Sequence, residues 1–147
     1  MANHLHKQIR DALVTALTGL ATTGSRVFAN RLRPMQDTDL PGLRIYLDDE
    51  QAETLTVDSP YVQQRTLTAS VEACAKVAIG LDDTLDLISK EVEIALSAGL
   101  TIGSRTLDVF YTGMRFDEEQ LDKPVGVKRM QFSILFRAMH NAPDALI

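Results

Sequence analysis

A chain of 147 residues that is 45% hydrophobic and 24% charged has the composition of an ordinary globular protein. It is long enough to bury a substantial core, and we expect one domain over residues 1–147. The formal net charge of −5 argues against a general nucleic-acid binder, which normally presents a basic face. A single cysteine, Cys74, cannot form an internal disulfide, and we expect it to be a small strand residue in a protein of a reducing compartment. No apolar run approaches the roughly 20 residues that span a bilayer, so no membrane association is expected.

Helical periodicity predicts two amphipathic helices. The first runs from about Asn3, its predicted N-cap, to Gly19. The second follows Gly80, is capped by Asp82 or Asp83, and ends at Gly99. The predicted buried stripes are Leu5, Ile9, Ala12, Leu13, Ala16, Leu17 and Leu20 in the first helix, and Leu81, Leu85, Ile88, Val92, Ala95 and Leu96 in the second.

Alternating apolar and polar residues predict the strands. In chain order they are a short strand at Arg26–Arg31, one at residues 43–48, a long one at Tyr61–Lys76, one containing Leu107, Val109 and Tyr111, and one at residues 129–138. Small alanines in the long strand suggest that a helix packs closely above it. Residues 140–147 are expected to form a flexible tail. The pattern predicts an α+β fold, with a mainly antiparallel sheet of about four to five strands packed by two amphipathic helices.

Two acidic segments, Asp48–Pro60 and Met114–Gly126, are predicted to be long polar loops between strands. Long loops on a compact scaffold usually serve a function. Neither segment carries a metal-ligand, nucleophile or phosphate-binding pattern. Contact with other protein chains is therefore the function we expect of them.

The sequence shows no residues in a catalytic pattern. His4, His6 and His140 all lie near a terminus, and two helical residues separated by two positions do not face each other. The many carboxylates show no calcium-loop spacing, and their positions favour simple solvation. We therefore expect no enzymatic activity and no catalytic, cofactor-binding or metal-binding residues. A small hydrolase using two surface carboxylates and a free-standing monomeric binding module are the alternatives.

Several segments resemble the phage tail terminator family, the minor tail protein U type of long non-contractile tails. The opening helix HLHKQIRDALVTALTGL leads to RVFANR, and DTDLPGLRIYLDDEQAE follows. The segments RTLTASVEACAK, LDDTLDLISKEVEIAL and DKPVGVKRMQFSILFRA complete the likeness, which covers nearly the whole chain. The resemblance implies a virion protein, assembled in the host cytoplasm, that forms a hexameric ring on the head-proximal end of the tail tube. Its implied partners are other copies of itself, the tail tube protein and the head connector or neck protein. A neck or head–tail completion protein is the alternative within this class.

Ring assembly would need surfaces of opposite charge on neighbouring subunits. We predict that the acidic loops and strand-borne arginines provide them, and that neutralising Asp48, Asp49 and Glu50 together weakens association. DNA can pass through such a ring, but no sequence-specific nucleic-acid binding is expected. The predicted interface residues are Arg31, Arg33, Arg44, Asp48, Asp49, Glu50, Glu53, Asp117, Glu118, Glu119 and Arg129.

Overall fold

The structure is a computed structural model that describes residues 2–29, 35–76, 79–119 and 125–147. In chain order its elements are α1 (Leu5–Leu17), β1 (Val27–Phe28), a 3-10 helix (Asp37–Asp39), β2 (Gly42–Thr54), β3 (Val62–Ala75), α2 (Leu81–Leu96), β4 (Leu100–Ile102), β5 (Arg105–Leu107), β6 (Val109–Glu119), β7 (Val125–Met139) and β8 (Ala142–Leu146). No helix in these ranges is long and apolar enough to cross a membrane.

Within the described residues, one sheet has the strand order β1-β2-β3-β7-β6, and β8 pairs with β7 as a sixth strand. All of its pairings are antiparallel except that of β1 with β2, which is parallel. Strands β4 and β5 form a separate hairpin. The predicted α+β class is confirmed, although the sheet has more strands than the four to five expected.

Both helices pack on one face of this sheet, which we call the inner face. Helix α1 buries Leu5, Ile9, Leu13 and Leu17, and α2 buries Leu85, Ile88, Val92 and Leu96, as their periodicity predicted. They meet the alternate residues Leu67, Ala69, Val71, Ala73 and Ala75 of β3, and Met130, Phe132, Ile134, Phe136 and Ala138 of β7. The small side chains of β3 lie in this core, as expected for a strand beneath a closely packed helix.

The opposite face of the sheet, the outer face, has a smaller apolar cluster near one end. Met35, Cys74, Val125 and Val127 are buried there, with Phe28 and Leu40 packed against them. The prediction that Cys74 is a strand residue is confirmed, and its buried Sγ lies 3.9 Å from the backbone oxygen of Glu72.

The two predicted acidic loops are mostly strand, so that prediction is wrong. Strand β2 continues to Thr54 and pairs with β3 beyond a bulge at Leu47/Asp49, while β6 extends to Glu119. Charged side chains that project from an edge strand do not disturb the backbone ladder, because the ladder uses only main-chain groups. Residues 120–124 of the second segment lie outside the described residues, as does part of the predicted strand at Arg26–Arg31.

The helix starts also differ from the prediction. His4, not Asn3, is the N-cap of α1, and its imidazole Nδ1 accepts a hydrogen bond from the backbone N–H of His6. Gly80 precedes α2 in a left-handed conformation, so Asp82 and Asp83 lie in the first turn instead of capping it. In the first turn, the carboxylates of Asp82 and Asp83 still interact favourably with the positive end of the helix dipole.

Two further corrections concern the C-terminal half of the chain. Leu107 and Val109 belong to separate strands, β5 and β6, instead of to one. The predicted flexible tail contains β8, whose Leu146 pairs with Ala138 of β7. Besides the backbone pairing, Leu146 packs against the core and Nε2 of Gln8 donates a hydrogen bond to the carbonyl of Asp144 at 2.8 Å. The sequence of this segment has no apolar alternation that would have revealed it.

Candidate interaction surfaces

The histidines were predicted not to face each other, and this is wrong for His4 and His6. Their ring centroids lie 4.3 Å apart, because His4 precedes the helix with extended backbone angles. His140 accepts a hydrogen bond from the backbone N–H of Tyr61 through Nδ1, at 2.8 Å. No group of three or more potential metal ligands occurs in the part of the chain that the structure describes.

Glu50 lies in a polar cluster with His6 and Arg65, next to the start of α1. Its Oε2 lies 3.0 Å from Nε2 of His6 and 3.9 Å from Nη1 of Arg65. The bulge in β2 explains this position, because the extra residue turns Glu50 to the inner face, opposite Leu67. Partial burial, with the positive charges of His6 and Arg65, lowers the pKa of His4. Glu50 therefore bonds within its own chain.

Arg44 and Glu72 form a buried ion pair on the outer face. They are directly opposite each other on β2 and β3, and Nε of Arg44 lies 3.3 Å from Oε1 of Glu72. Each side chain is only 9% exposed. Arg44 was predicted as an interface residue, and the ladder places it on β2 between β1 and β3, where its side chain is buried.

Arg129 belongs to a second polar group on the same face. Its Nη2 donates to Oδ1 of Asp48 at 2.7 Å, and its Nε donates to Oγ of Ser70 at 3.1 Å. The Ser70 hydroxyl in turn donates to Oδ2 of Asp48. The guanidinium also lies 6.0 Å from the ring centroid of Tyr46. Asp48 and Arg129, which we predicted to meet across a subunit boundary, thus meet within one chain.

The remaining predicted interface residues fall into three groups. Asp49, Glu53 and Asp117 are exposed. Glu118 and Glu119 end β6, where the backbone is in register with Gly126 and Val125. Arg31 and Arg33 lie outside the described residues. The structure therefore brings together Arg44, Arg129, Asp48 and Glu50 with partners of the same chain. Asp49 and Glu53 lie at the surface, and so does Asp117, whose Oδ2 is 3.3 Å from Nε of Arg115.

The exposed apolar surface of β6 was not predicted from the sequence. Phe110, Tyr111, Met114 and Phe116 are 50%, 46%, 40% and 49% exposed. Tyr111 was predicted to lie in a strand with Leu107 and Val109, and Met114 was predicted to begin a loop. The available signal was that the apolar residues of VFYTGMRF do not alternate cleanly, which is typical of a strand with apolar groups on both faces.

A groove of about 410 Å³ runs between this strand and the start of α2. Leu81, Leu85 and Phe116 contribute its apolar walls, and Asp82 and Asp117 contribute carboxylates. Beside it, Nζ of Lys128 pairs with Oδ1 of Asp86 at 3.0 Å and lies 5.6 Å from the Phe116 ring centroid. The groove is therefore apolar at its base and acidic at its rim.

The fold and these surfaces define a small two-layer α+β protein with an exposed apolar edge strand. A sequence model of the family described as phage minor tail protein U matches residues 4–136. The chain therefore belongs to the phage minor tail protein U family, and it is a structural protein of the virion tail. Among solved structures, a chain from the virion of a native gene transfer agent particle is similar over 90% of this chain and 91% of that chain, with 17% sequence identity and a TM-score of 0.47. No curated protein matches the sequence.

Proposed function

We propose that this protein is a tail terminator, a subunit that forms a ring on the head-proximal end of the tail tube. The ring ends tube polymerisation and offers the surface to which the head connector attaches. The observation that carries this proposal is the family match over residues 4–136. In this role the chain is one domain, catalyses no reaction and needs no cofactor.

A ring of identical subunits requires heterologous contacts, in which one surface of a subunit fits a different surface of the next. The exposed carboxylates of Asp49, Glu53 and Asp117 are candidates for such contacts. We propose Arg31 and Arg33 of the adjacent subunit as their partners. Arg44, Asp48, Glu50 and Arg129 act differently in this proposal, because their internal bonds hold the sheet surface in shape.

The acidic character of the chain is compatible with DNA passing through the ring. Because each subunit carries a formal net charge of −5, the ring as a whole would be acidic and would tend to repel phosphates. DNA would then slide through the opening without being held by the protein.

The proposal is tested by measuring mass in solution across a concentration series, by light scattering after size exclusion, with and without purified tail tube protein. We expect either a ring in solution or a monomer that assembles on tube ends, and tubes of limited length in electron micrographs. A monomer that leaves tube length unchanged would refute the proposal. Capture of portal components without any effect on tubes would instead favour the neck protein.

The charge-based contacts are tested with the variant Asp49→Asn/Glu53→Gln, which removes two exposed carboxylates from β2. Asp11→Asn/Asp83→Asn is the matched control, since it removes two exposed carboxylates from the helices. We expect the β2 variant to weaken ring or tube association and the control to behave as wild type. Equal assembly of both variants would remove Asp49 and Glu53 from the contact.

A further inference from the structure

The outer edge of β6 has no role in the proposed function. This strand has 11 residues and pairs with β7 along one side. No strand in the described part of the chain covers its other side. An edge of this kind presents main-chain donors and acceptors to solvent, and these groups can pair with another chain.

This edge has little of the protection that open edges usually carry. Charged side chains, prolines and bulges normally keep an edge strand from pairing with other chains. In β6 the bulge between Tyr111 and Gly113 is one such feature, but residues 109–114 carry no charge and the strand contains no proline. The first half of β6 is therefore suited to pairing with a further strand.

Three exposed apolar side chains of β6 lie on the inner face of the sheet, and we call them the apolar strip. Residues that are opposite each other in a ladder point to the same face. Tyr111 and Met114 of the strip are opposite Phe132 and Met130, which face the helices. The third member, Phe116, lines the groove beside α2. Because α2 packs on β3 and β7, the strip stays exposed next to it.

The groove beside the apolar strip also specifies a charge for its occupant. Its rim carries the carboxylates of Asp82 and Asp117. Oδ2 of Asp117 lies 3.3 Å from Nε of Arg115, in a pair that is open to solvent. Among the described residues, Asp82 has no basic partner. A segment that complements this groove is therefore apolar and positively charged.

Strand β7 shows which kind of sequence pairs with β6. Lys128 is the register partner of Phe116, and its Nζ lies 5.6 Å from the centroid of that ring. After Lys128 the inner-face residues of β7 are all apolar, namely Met130, Phe132 and Ile134. Because the two strands are antiparallel, the basic residue comes first in β7 and lies near the acidic end of β6. A strand added antiparallel on the other side would meet the same residues of β6 in the same order.

We propose that β6 binds an extended segment of a partner protein, which adds to its outer edge as a further antiparallel strand. The segment begins with one or two lysines or arginines, which reach Asp82 and Asp117. It continues with alternating apolar residues, which cover the apolar strip. Main-chain hydrogen bonds supply affinity, and the position of the charges sets the direction of the segment. This inference goes beyond the proposed ring, because a single copy of the chain is sufficient for it.

The first test measures fluorescence anisotropy of three labelled ten-residue peptides with the wild-type chain. The first peptide has two lysines at its N-terminus, followed by alternating threonine and valine. The second has the same residues in reverse order, and the third has glutamates in place of the lysines. We expect the first peptide to bind about 10-fold more tightly than either of the others, because it alone places positive charge beside the acidic rim. Equal binding of all three, or no binding of the first, would overturn the inference.

The second test exchanges the charge of the rim with the variant Asp82→Lys/Asp117→Lys. We expect this variant to bind the lysine peptide about 10-fold more weakly than wild type and to bind the glutamate peptide more tightly. The matched control is Asp11→Lys/Asp58→Lys, which makes the same charge change at exposed positions on α1 and between β2 and β3. This control should keep the wild-type preference for lysine.

An unchanged preference in the rim variant, or an equal change in the control, contradicts the proposed contact. Thermal unfolding identifies a loss of folding. If the rim variant does not fold, Asp82→Asn/Asp117→Asn takes its place, and it should lose the preference for lysine over glutamate.

Amide hydrogen exchange distinguishes strand addition from binding in the groove alone. In an antiparallel edge strand, every second N–H bonds to the neighbouring strand and the others point to the open side. We expect the lysine peptide to slow exchange at alternate amides within residues 109–117. Binding without this protection would overturn strand addition. None of these experiments requires a ring, so their failure leaves the terminator function standing, and a failure of ring formation leaves this inference standing.

Discussion

The buried ion pair of Arg44 and Glu72 leads to a prediction that tests whether burial or the N–O distance determines the coupling free energy of an ion pair. Both side chains are 9% exposed, and the closest N–O distance is 3.3 Å. Removing one member takes away the ion-pair partner of a charge that stays buried, which costs about 3–5 kcal/mol. We expect Glu72→Leu and Arg44→Met each to lower the free energy of unfolding by about that amount, and the melting temperature by roughly 6–20 °C.

The double variant Arg44→Met/Glu72→Leu should recover most of the loss, because apolar side chains of similar size replace the pair without a desolvated charge. Urea unfolding of the four proteins in this cycle measures the coupling free energy. Glu72 also lies opposite Arg129 in the ladder, but Arg129 keeps its bonds to Asp48 and Ser70 in every variant.

The pair of Lys7 and Asp11 is the matched control. It is shorter, at 2.7 Å, but its side chains are 50% and 60% exposed. Solvent screening should reduce its coupling to about 0.5 kcal/mol or less. The reasoning is refuted if the two pairs show equal coupling, or if the double variant is as unstable as the sum of the single variants.

Three further predictions concern local structure. Gly42→Ala should destabilise the protein by about 1–3 kcal/mol in urea unfolding, because the added methyl overlaps a backbone carbonyl of the 3-10 helix, whereas Gly113→Ala, with open space around it, should not. The pKa of His4 is lowered from 6.5 in the folded protein, so the unfolded chain binds a proton more readily. The contribution of His4 to the free energy of unfolding should therefore be complete above pH 6.5 and decrease as the pH falls below it. Thermal unfolding of His4→Asn should lack this pH dependence. Asp48→Asn should lower stability by up to about 1 kcal/mol through its lost ion pair, and Asp49→Asn, which is exposed, should leave it unchanged.

The interior of this fold could be predicted from the sequence because its residues follow regular periods. The stripe from Leu5 to Leu17 repeats at helical spacing, and the residues from Met130 to Ala138 alternate. In both cases one face of the element is buried, so the spacing of the apolar residues in the sequence identifies the buried face. The ends of β2 and β6 could not be predicted in this way, because exposed edge strands bury few side chains.

The polar contacts could not be predicted, because they depend on strand register. Arg44 and Glu72 are far apart in sequence, and only the pairing of β2 with β3 places them opposite each other. The bulge then sends Asp48 and Glu50 to different partners, Arg129 and His6. A run of three acidic residues looks uniform in the sequence, but the backbone gives each residue a different environment.

The ion pairs within one chain, such as that of Asp48 with Arg129, also bear on which contacts could hold the ring together. If exposed carboxylates held the ring together, salt would weaken it, because charges at a surface are screened over about 10 Å at 0.1 M salt. A contact that is mainly apolar would instead be left unchanged or strengthened by salt. Because we propose contacts through Asp49 and Glu53, we expect the ring, measured by sedimentation velocity over a salt series, to dissociate more readily as the salt concentration rises. A ring that persists unchanged at high salt would count against contacts through Asp49 and Glu53.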